Sequence, residues 1–243
     1  MKQILLYGFL LFSNFSFAQE SIVVEYLYEA RLNYEKLDSI RKSEGKQSSF
    51  KMESIPVLMK MIVTKNESTS YPVPRLVNQG NQNTISIGDS KNIYYKNYVE
   101  NYYLDETNSI FGHYVIKDSL KKYDWQITDE TKTIKDYKVI KAIAFLKGKK
   151  LTAWYAPDLP FQGGPRLING LPGLILEAYY PLGNVTNTYH VFVVDKIYSP
   201  KKKDVIVKPD TNVKIISPQE FDQIKSDKRK QINEELSNKV DRK

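Results

Sequence analysis

The sequence contains no cysteine, and only two histidines and two tryptophans occur among its 243 residues. Without a thiol there is no disulfide scaffold, no Cys-ligated zinc, no thiol nucleophile and no acylated-cysteine anchor. Two histidines leave little room for a His-rich metal site. The longest leading apolar run, Ile4 to Phe12, falls short of the roughly 20 residues that cross a bilayer as a helix. There is no Gly-x-Ser-x-Gly elbow, no His-Glu-x-x-His and no glycine loop of the phosphate-cradling kind. No metal, cofactor or catalytic residue is therefore expected.

What is present is apolar and aromatic. Hydrophobic residues make up 41% of the chain, too many for a disordered polymer, and 18 residues are tyrosine. A chain of this length suits one core with a tail. The net charge of +8 is uneven: from Lys196 to Lys243 there are 13 Lys and Arg against 8 Asp and Glu. That stretch holds only Tyr198 and Phe221 as stacking aromatics, so it reads as a solvated face and no nucleic-acid partner is expected.

Lys2, the apolar run and Ser16-Phe17-Ala18 form a signal-peptide pattern over residues 1–18, with cleavage expected near Ala18/Gln19. The mature chain is expected in the periplasm or at the outer-membrane periphery, or secreted, without a transmembrane anchor. Residues 19–216 then alternate with period two. Ile22, Val24, Tyr26, Tyr28, Ala30, Leu32 and Tyr34 share one face of a long strand. Further strands are expected over Val57–Val63, Glu67–Val73, Thr84–Ile87, Asn92–Tyr98, Tyr102–Leu104, Phe111–Ile116, Tyr123–Ile127, Lys135–Leu146, Leu151–Tyr155, Leu174–Tyr180 and Thr188–Tyr198. Asp38–Ser49 and Asn78–Asn83 read as connections. The expected fold is mainly β, a single curled antiparallel sheet, with a half-barrel like that of LolA as one form of it.

Ala156–Gly173 breaks the period with four prolines and four glycines, yet carries Leu159, Phe161, Leu167, Ile168 and Leu171. Pro removes donors and Gly removes rigidity, so neither strand nor helix can form there. An apolar irregular loop of this length is expected to pack on the sheet. Residues 217–243 change to helical spacing. Ser217-Pro218-Gln219-Glu220 supplies an N-cap, a first-turn proline and the glutamate of a capping box.

Asn169-Gly170-Leu171-Pro172-Gly173-Leu174-Ile175-Leu176-Glu177 carries a six-residue signature that resembles the GLPGLI family of exported Bacteroidetes proteins. Trp125-Gln126-Ile127, Tyr137, Ala153-Trp154-Tyr155-Ala156-Pro157 and Gly164-Pro165 resemble it too, although the family's cysteine near Tyr137 is missing. The resemblance implies a protein of unassigned function whose genes sit beside TonB-dependent transporters. It makes a non-enzymatic binding or accessory protein of an outer-membrane transporter the leading expectation. A carrier of a lipid or other hydrophobic ligand, and a hydrolase or metal enzyme using Asp158, Glu177 and a histidine, remain as alternatives.

The candidate recognition surface comprises Trp154, Tyr155, Asp158, Arg166, Gly170, Leu171, Pro172, Gly173 and Glu177. Arg166 reads either as an anion grip or as a solvent-facing turn residue. Glu177 is either a buried carboxylate or an outward strand residue. Tyr94, Tyr95, Tyr98, Tyr102 and Tyr103 could line a groove or pack across strands. His113 and His190 stand alone. Asp38-Ser39-Ile40 and Asp118-Ser119-Leu120 resemble a short O-glycosylation motif of Bacteroidetes.

Overall fold

The computed structural model describes residues 20–32, 43, 45, 54–74, 85–86, 92–146, 148–181 and 188–240. The expected leader, the Asn78–Asn83 turn and most of the Asp38–Ser49 loop, Ser39 included, lie outside the described residues. Alternation along the chain is realised as strands β1 (Ser21–Leu32), β2 (Ser54–Ile55), β3 (Val57–Thr64), β4 (Glu67–Val73), β5 (Ile85–Ser86), β6 (Ile93–Asn97) and β7 (Tyr102–Ser109). These are followed by β8 (Gly112–Ser119), β9 (Gln126–Ile134), β10 (Tyr137–Leu146), β11 (Lys149–Ala156), β12 (Leu174–Pro181), β13 (Thr188–Tyr198) and β14 (Ile215–Ile216). One helix, α1 (Pro218–Val240), closes the chain.

Twelve strands make one open, curled sheet in the order β14-β8-β7-β6-β4-β3-β1-β13-β12-β11-β10-β9. Every neighbouring pair is antiparallel except β14 with β8. The mainly β fold with a curled sheet, an irregular loop and a C-terminal helix is thus as the alternation implies. Two local readings need correction. The strand expected over Lys135–Leu146 starts only at Tyr137, because Lys135 and Asp136 both adopt positive φ (48° and 68°) and turn β9 back onto β10. That is the geometry of a tight primed hairpin turn, hidden here because neither residue is glycine or asparagine. Trp125 precedes β9 and sends its indole N–H to Asn169 O at 2.9 Å.

The inward parity of the sheet builds the main core. Ile22, Val24 and Tyr26 of β1 meet Met59, Met61 and Val63 of β3 and Phe192 and Val194 of β13. Leu159, Phe161, Ile168 and Leu171 from the Pro/Gly loop fill this same face, each no more than 8% exposed. Burying side chains of this size stabilises by about 1.5–3 kcal/mol each. The opposite parity is covered in part by residues 201–210. Lys60 Nζ pairs with Asp204 Oδ1 at 2.9 Å, and Asp210 N donates to Glu106 Oε2 at 3.2 Å. Lys201, Lys202 and Lys203 themselves stay exposed.

The helix starts as its sequence dictates. Ser217 N donates to Glu220 Oε2 at 2.7 Å, and Glu220 N donates to Ser217 Oγ at 3.2 Å, a reciprocal capping box. Phe221 and Ile224 pack with Tyr103, Tyr114 and Ile116 at the β8 edge. No described helix is long and apolar enough to cross a membrane.

Candidate functional site

Curling brings together strands that are far apart in the ladder. From β7 to β12 is six strand steps, which would be about 29 Å across a flat sheet. Yet Tyr94 of β6, Asp105 of β7, Tyr180 of β12 and His190 and Phe192 of β13 line one pocket of about 110 Å³, together with Arg166 of the loop. Tyr28 of β1 backs it, stacked on Phe192 with ring centroids 4.9 Å apart.

Arg166 organises the pocket. Its Nη2 donates to the Tyr94 hydroxyl at 2.5 Å, and the guanidinium lies 4.6 Å from the Tyr94 ring centroid and 5.9 Å from that of Tyr28. Its backbone stands at φ 53°, in the left-handed region where a non-glycine residue is held at a cost of about 1–3 kcal/mol. Two contacts hold it there. Arg166 N donates to Ser70 Oγ at 3.1 Å, and Lys96, buried beneath the loop, donates from Nζ to Gly164 O (2.7 Å) and Ile168 O (2.8 Å). Burial of the Lys96 ammonium lowers its pKa to about 7. A cation therefore sits on the core parity of β6 because the loop presents carbonyls to it, with Gly and Pro leaving those carbonyls free of a ladder.

Two other groups titrate abnormally. Burial pushes the Asp105 carboxyl up to about 6, against the opposing pull of the Arg166 charge. Asp105 Oδ1 is shut off from solvent and has no hydrogen-bond partner among the described residues. Burial, and then the Arg166 charge, lower the His190 pKa to about 3, so the imidazole is neutral at physiological pH. His190 Nδ1 is 2.6 Å from the Tyr28 hydroxyl.

The residues singled out in the sequence are dispersed. Arg166 enters the pocket and is not a solvent-facing turn residue. Tyr155 and Leu171 are core residues at 3% and 1% exposure, while Asp158, Gly170 and Pro172 lie on the surface. Gly173 is structural: a Cβ there would stand 2.3 Å from Ala156 O, a backbone atom that cannot yield. Glu177 is buried but spoken for, held by Lys132 Nζ at 2.8 and 2.9 Å, and Lys132 also covers the Trp154 ring at 4.3 Å. Of the tyrosines, Tyr94 lines the pocket, whereas Tyr95 and Tyr103 are buried elsewhere. His113 pairs with Glu106 at 2.8 Å, away from His190. Asp105, Tyr28, Tyr180 and Phe192 were not evident as site residues. Parity was the available signal, since Asp105 is in step with buried Tyr103, and His190 with Phe192 and Val194.

A family model described as the N-glycanase peptide, N-terminal domain, matches residues 46–214. The chain belongs to this family. All eight residues that line the pocket, Leu167 and Ile168 included, fall within the matched span. The fold is similar to that of PNGF-II in two crystal forms. The P21 form superposes with a TM-score of 0.52 at 14% identity, and the C2 form with 0.51 at 15%. Each match covers 84% of this chain, which spans only about a third (33% and 32%) of the PNGF-II chain. A LolA superfamily protein from Nitrosomonas europaea aligns at a TM-score of 0.29, with 9% identity over 76% of this chain and 88% of its own. No curated protein matches the chain.

The family match overturns the GLPGLI assignment. A hexapeptide reports a local packing solution, here Gly173 against Ala156 O with Leu171 and Leu174 in the core. The family match rests on most of the chain. The transporter-associated binding protein, which depended on that resemblance, is corrected with it. The two alternatives also find no support in the geometry. The loop fills the face on which a hydrophobic carrier would need its cavity. Neither Asp158 nor Glu177 lines the pocket that contains His190.

Proposed function

We propose that this domain serves N-glycan processing by engaging the glycan of an N-glycosylated substrate at the Arg166 pocket. The observation that carries the reading is that the whole pocket lies inside the span matched to the N-glycanase N-terminal domain. Its chemistry agrees: a small, mostly aromatic lining with a few fixed polar groups is what orients a compact polar ligand. Among the described residues a single carboxylate faces the pocket, whereas glycosidic hydrolysis ordinarily uses a pair flanking the bond, so the pocket's part is read as recognition. Work outside the cytoplasm, where glycoproteins are met, is part of this reading, and the signal-peptide pattern of residues 1–18 supports it.

The test is binding of the purified chain to one immobilised glycoprotein before and after its N-glycans are removed. Binding confined to the glycosylated form is expected. Equal binding to both forms, or binding to neither, would end the reading.

A further inference from the structure

We propose that the pocket between β6, β7, β12, β13 and the loop holds one uncharged pyranose residue, with Asp105 accepting from its hydroxyls and Arg166 and His190 donating to it. This rests on the N-glycan reading and narrows it to a single sugar unit of neutral charge.

Size comes first. Pockets for drug-sized ligands run to roughly 300–1,000 Å³. At about 110 Å³, below the roughly 150 Å³ that encloses one benzene, this one takes one edge of a single ring with the rest of the sugar outside, and excludes a disaccharide from its interior. Its lining then sets the chemistry. Tyr94, Tyr180 and Phe192 offer apolar ring surface, against which the C–H faces of a pyranose can lie. An apolar ligand would strip water from the Arg166 N–H groups not used by Tyr94 with nothing to accept from them, an expensive outcome.

Charge decides between neutral and acidic sugars. At neutral pH Asp105, titrating near 6, is an anion facing the Arg166 cation, and His190 is uncharged. The pocket is balanced. A ligand carboxylate would gain Arg166 but meet Asp105, and a ligand ammonium would face the converse. A hydroxyl-rich neutral ring satisfies both, because a hydroxyl donates and accepts. The histidine is prepared for the same task. In the tautomer whose Nδ1 accepts from the Tyr28 hydroxyl, the neutral ring carries its proton on Nε2 and can donate from there. Arg166 commits one nitrogen to Tyr94, which leaves further guanidinium N–H groups for the ligand.

The experiment is calorimetry and saturation-transfer NMR on the full chain with N-acetylglucosamine, mannose and galactose, set against N-acetylneuraminic acid. At least one neutral sugar should bind and the acidic one should not. Asp105→Asn should weaken the neutral sugar about tenfold to a hundredfold, the range expected for losing a charged acceptor. Phe145→Ala, an exposed residue of β10 outside the pocket, should leave it unchanged. If Asp105→Asn does not fold by its melting curve, Arg166→Lys is read in its place, with the same loss expected. Failure of all three neutral sugars to bind, preference for the acidic sugar, or undiminished binding by the folded variant overturns the proposal. If the chain still separates glycosylated from bare glycoprotein while binding no monosaccharide, the pocket assignment fails and the glycan reading stands. Monosaccharide binding without that separation has the reverse meaning.

Discussion

Residues 157–173 and α1 differ in the opposite sense from what their backbones suggest. The loop has hardly any regular hydrogen bonding, yet Phe161, Ile168 and Leu171 are at most 2% exposed and Lys96 anchors it from below. The helix has 23 residues of ideal repeat, yet none of its described side chains is buried, and only Phe221, Ile224 and a few neighbours reach the sheet. A regular backbone satisfies its own polar groups and can remain at the surface. An irregular one must find partners elsewhere, and here it finds them in the core. The segment with least secondary structure is the one most tied to the fold.

The contrast can be broken most forcefully with paired truncations. Phe161→Ala should destabilise the protein by about 3–5 kcal/mol in urea titration. Phe221→Ala, half-buried at the helix contact, should cost about 1 kcal/mol, because little of its surface leaves water. Equal losses would show that the helix is as integral as the loop. Gly173→Ala should cost about 3 kcal/mol, since its methyl meets the Ala156 carbonyl. Gly148→Ala, with open space but φ +75°, should cost only about 1–2 kcal/mol.

Lys96→Met sharpens the comparison through pH. Removing the ammonium leaves Gly164 O and Ile168 O unpaired, and a loss of about 2 kcal/mol is expected near pH 7. The native Lys96 pKa lies near 7 and the unfolded one near 10.5, so between these values the unfolded chain binds more protons. Stability of the parent protein should therefore rise from pH 7 to 9, and that rise should shrink in Lys96→Met. Flat profiles for both proteins would contradict a depressed Lys96.

His190 gives a similar test on the acid side. Its folded pKa near 3 lies below the ordinary 6.5, so its contribution is present above pH 6.5 and is lost as pH falls towards 3. Asp105 acts in the opposite direction between about 6 and 3.8, because there the folded state holds the extra proton. His190→Gln should flatten the acid limb of a melting-temperature profile, and Asp105→Asn should steepen it. The smallest effect belongs to the helix cap. Ser217→Ala should cost about 0.5–1 kcal/mol and leave near-ultraviolet signals of the loop unchanged.

Alternation made the sheet legible from the sequence. β1, β3, β12 and β13 follow from apolar residues recurring every second position, such as Ile22, Val24 and Tyr26 or Met59, Met61 and Val63, which share the main core, and β4 follows as the hairpin partner of β3. The capping box at Ser217 was equally plain. The Lys135-Asp136 turn was hidden because ordinary residues there take a conformation that glycine or asparagine would have advertised. The pocket was hidden for a different reason. Arg166 and His190 are visible as residue types, but Asp105 and Tyr180 come from strands six steps apart, and only the curl of the sheet makes them neighbours. The GLPGLI hexapeptide misled because its residues serve close packing, which unrelated chains can reach alike.

The two ends of the sheet are unlike, and this bears on assembly. At one end β14 pairs in parallel with β8 and α1 lies against β8; at the other, β9 offers nine residues with mostly exposed side chains. Among the described residues β9 is therefore the longer edge that an added strand could meet. Two copies joined there would leave a β14 edge at each extremity, with no second β9 to continue the ladder. The short β14 edge offers two residues to a further strand, so the asymmetry disfavours continuing the ladder beyond such a pair.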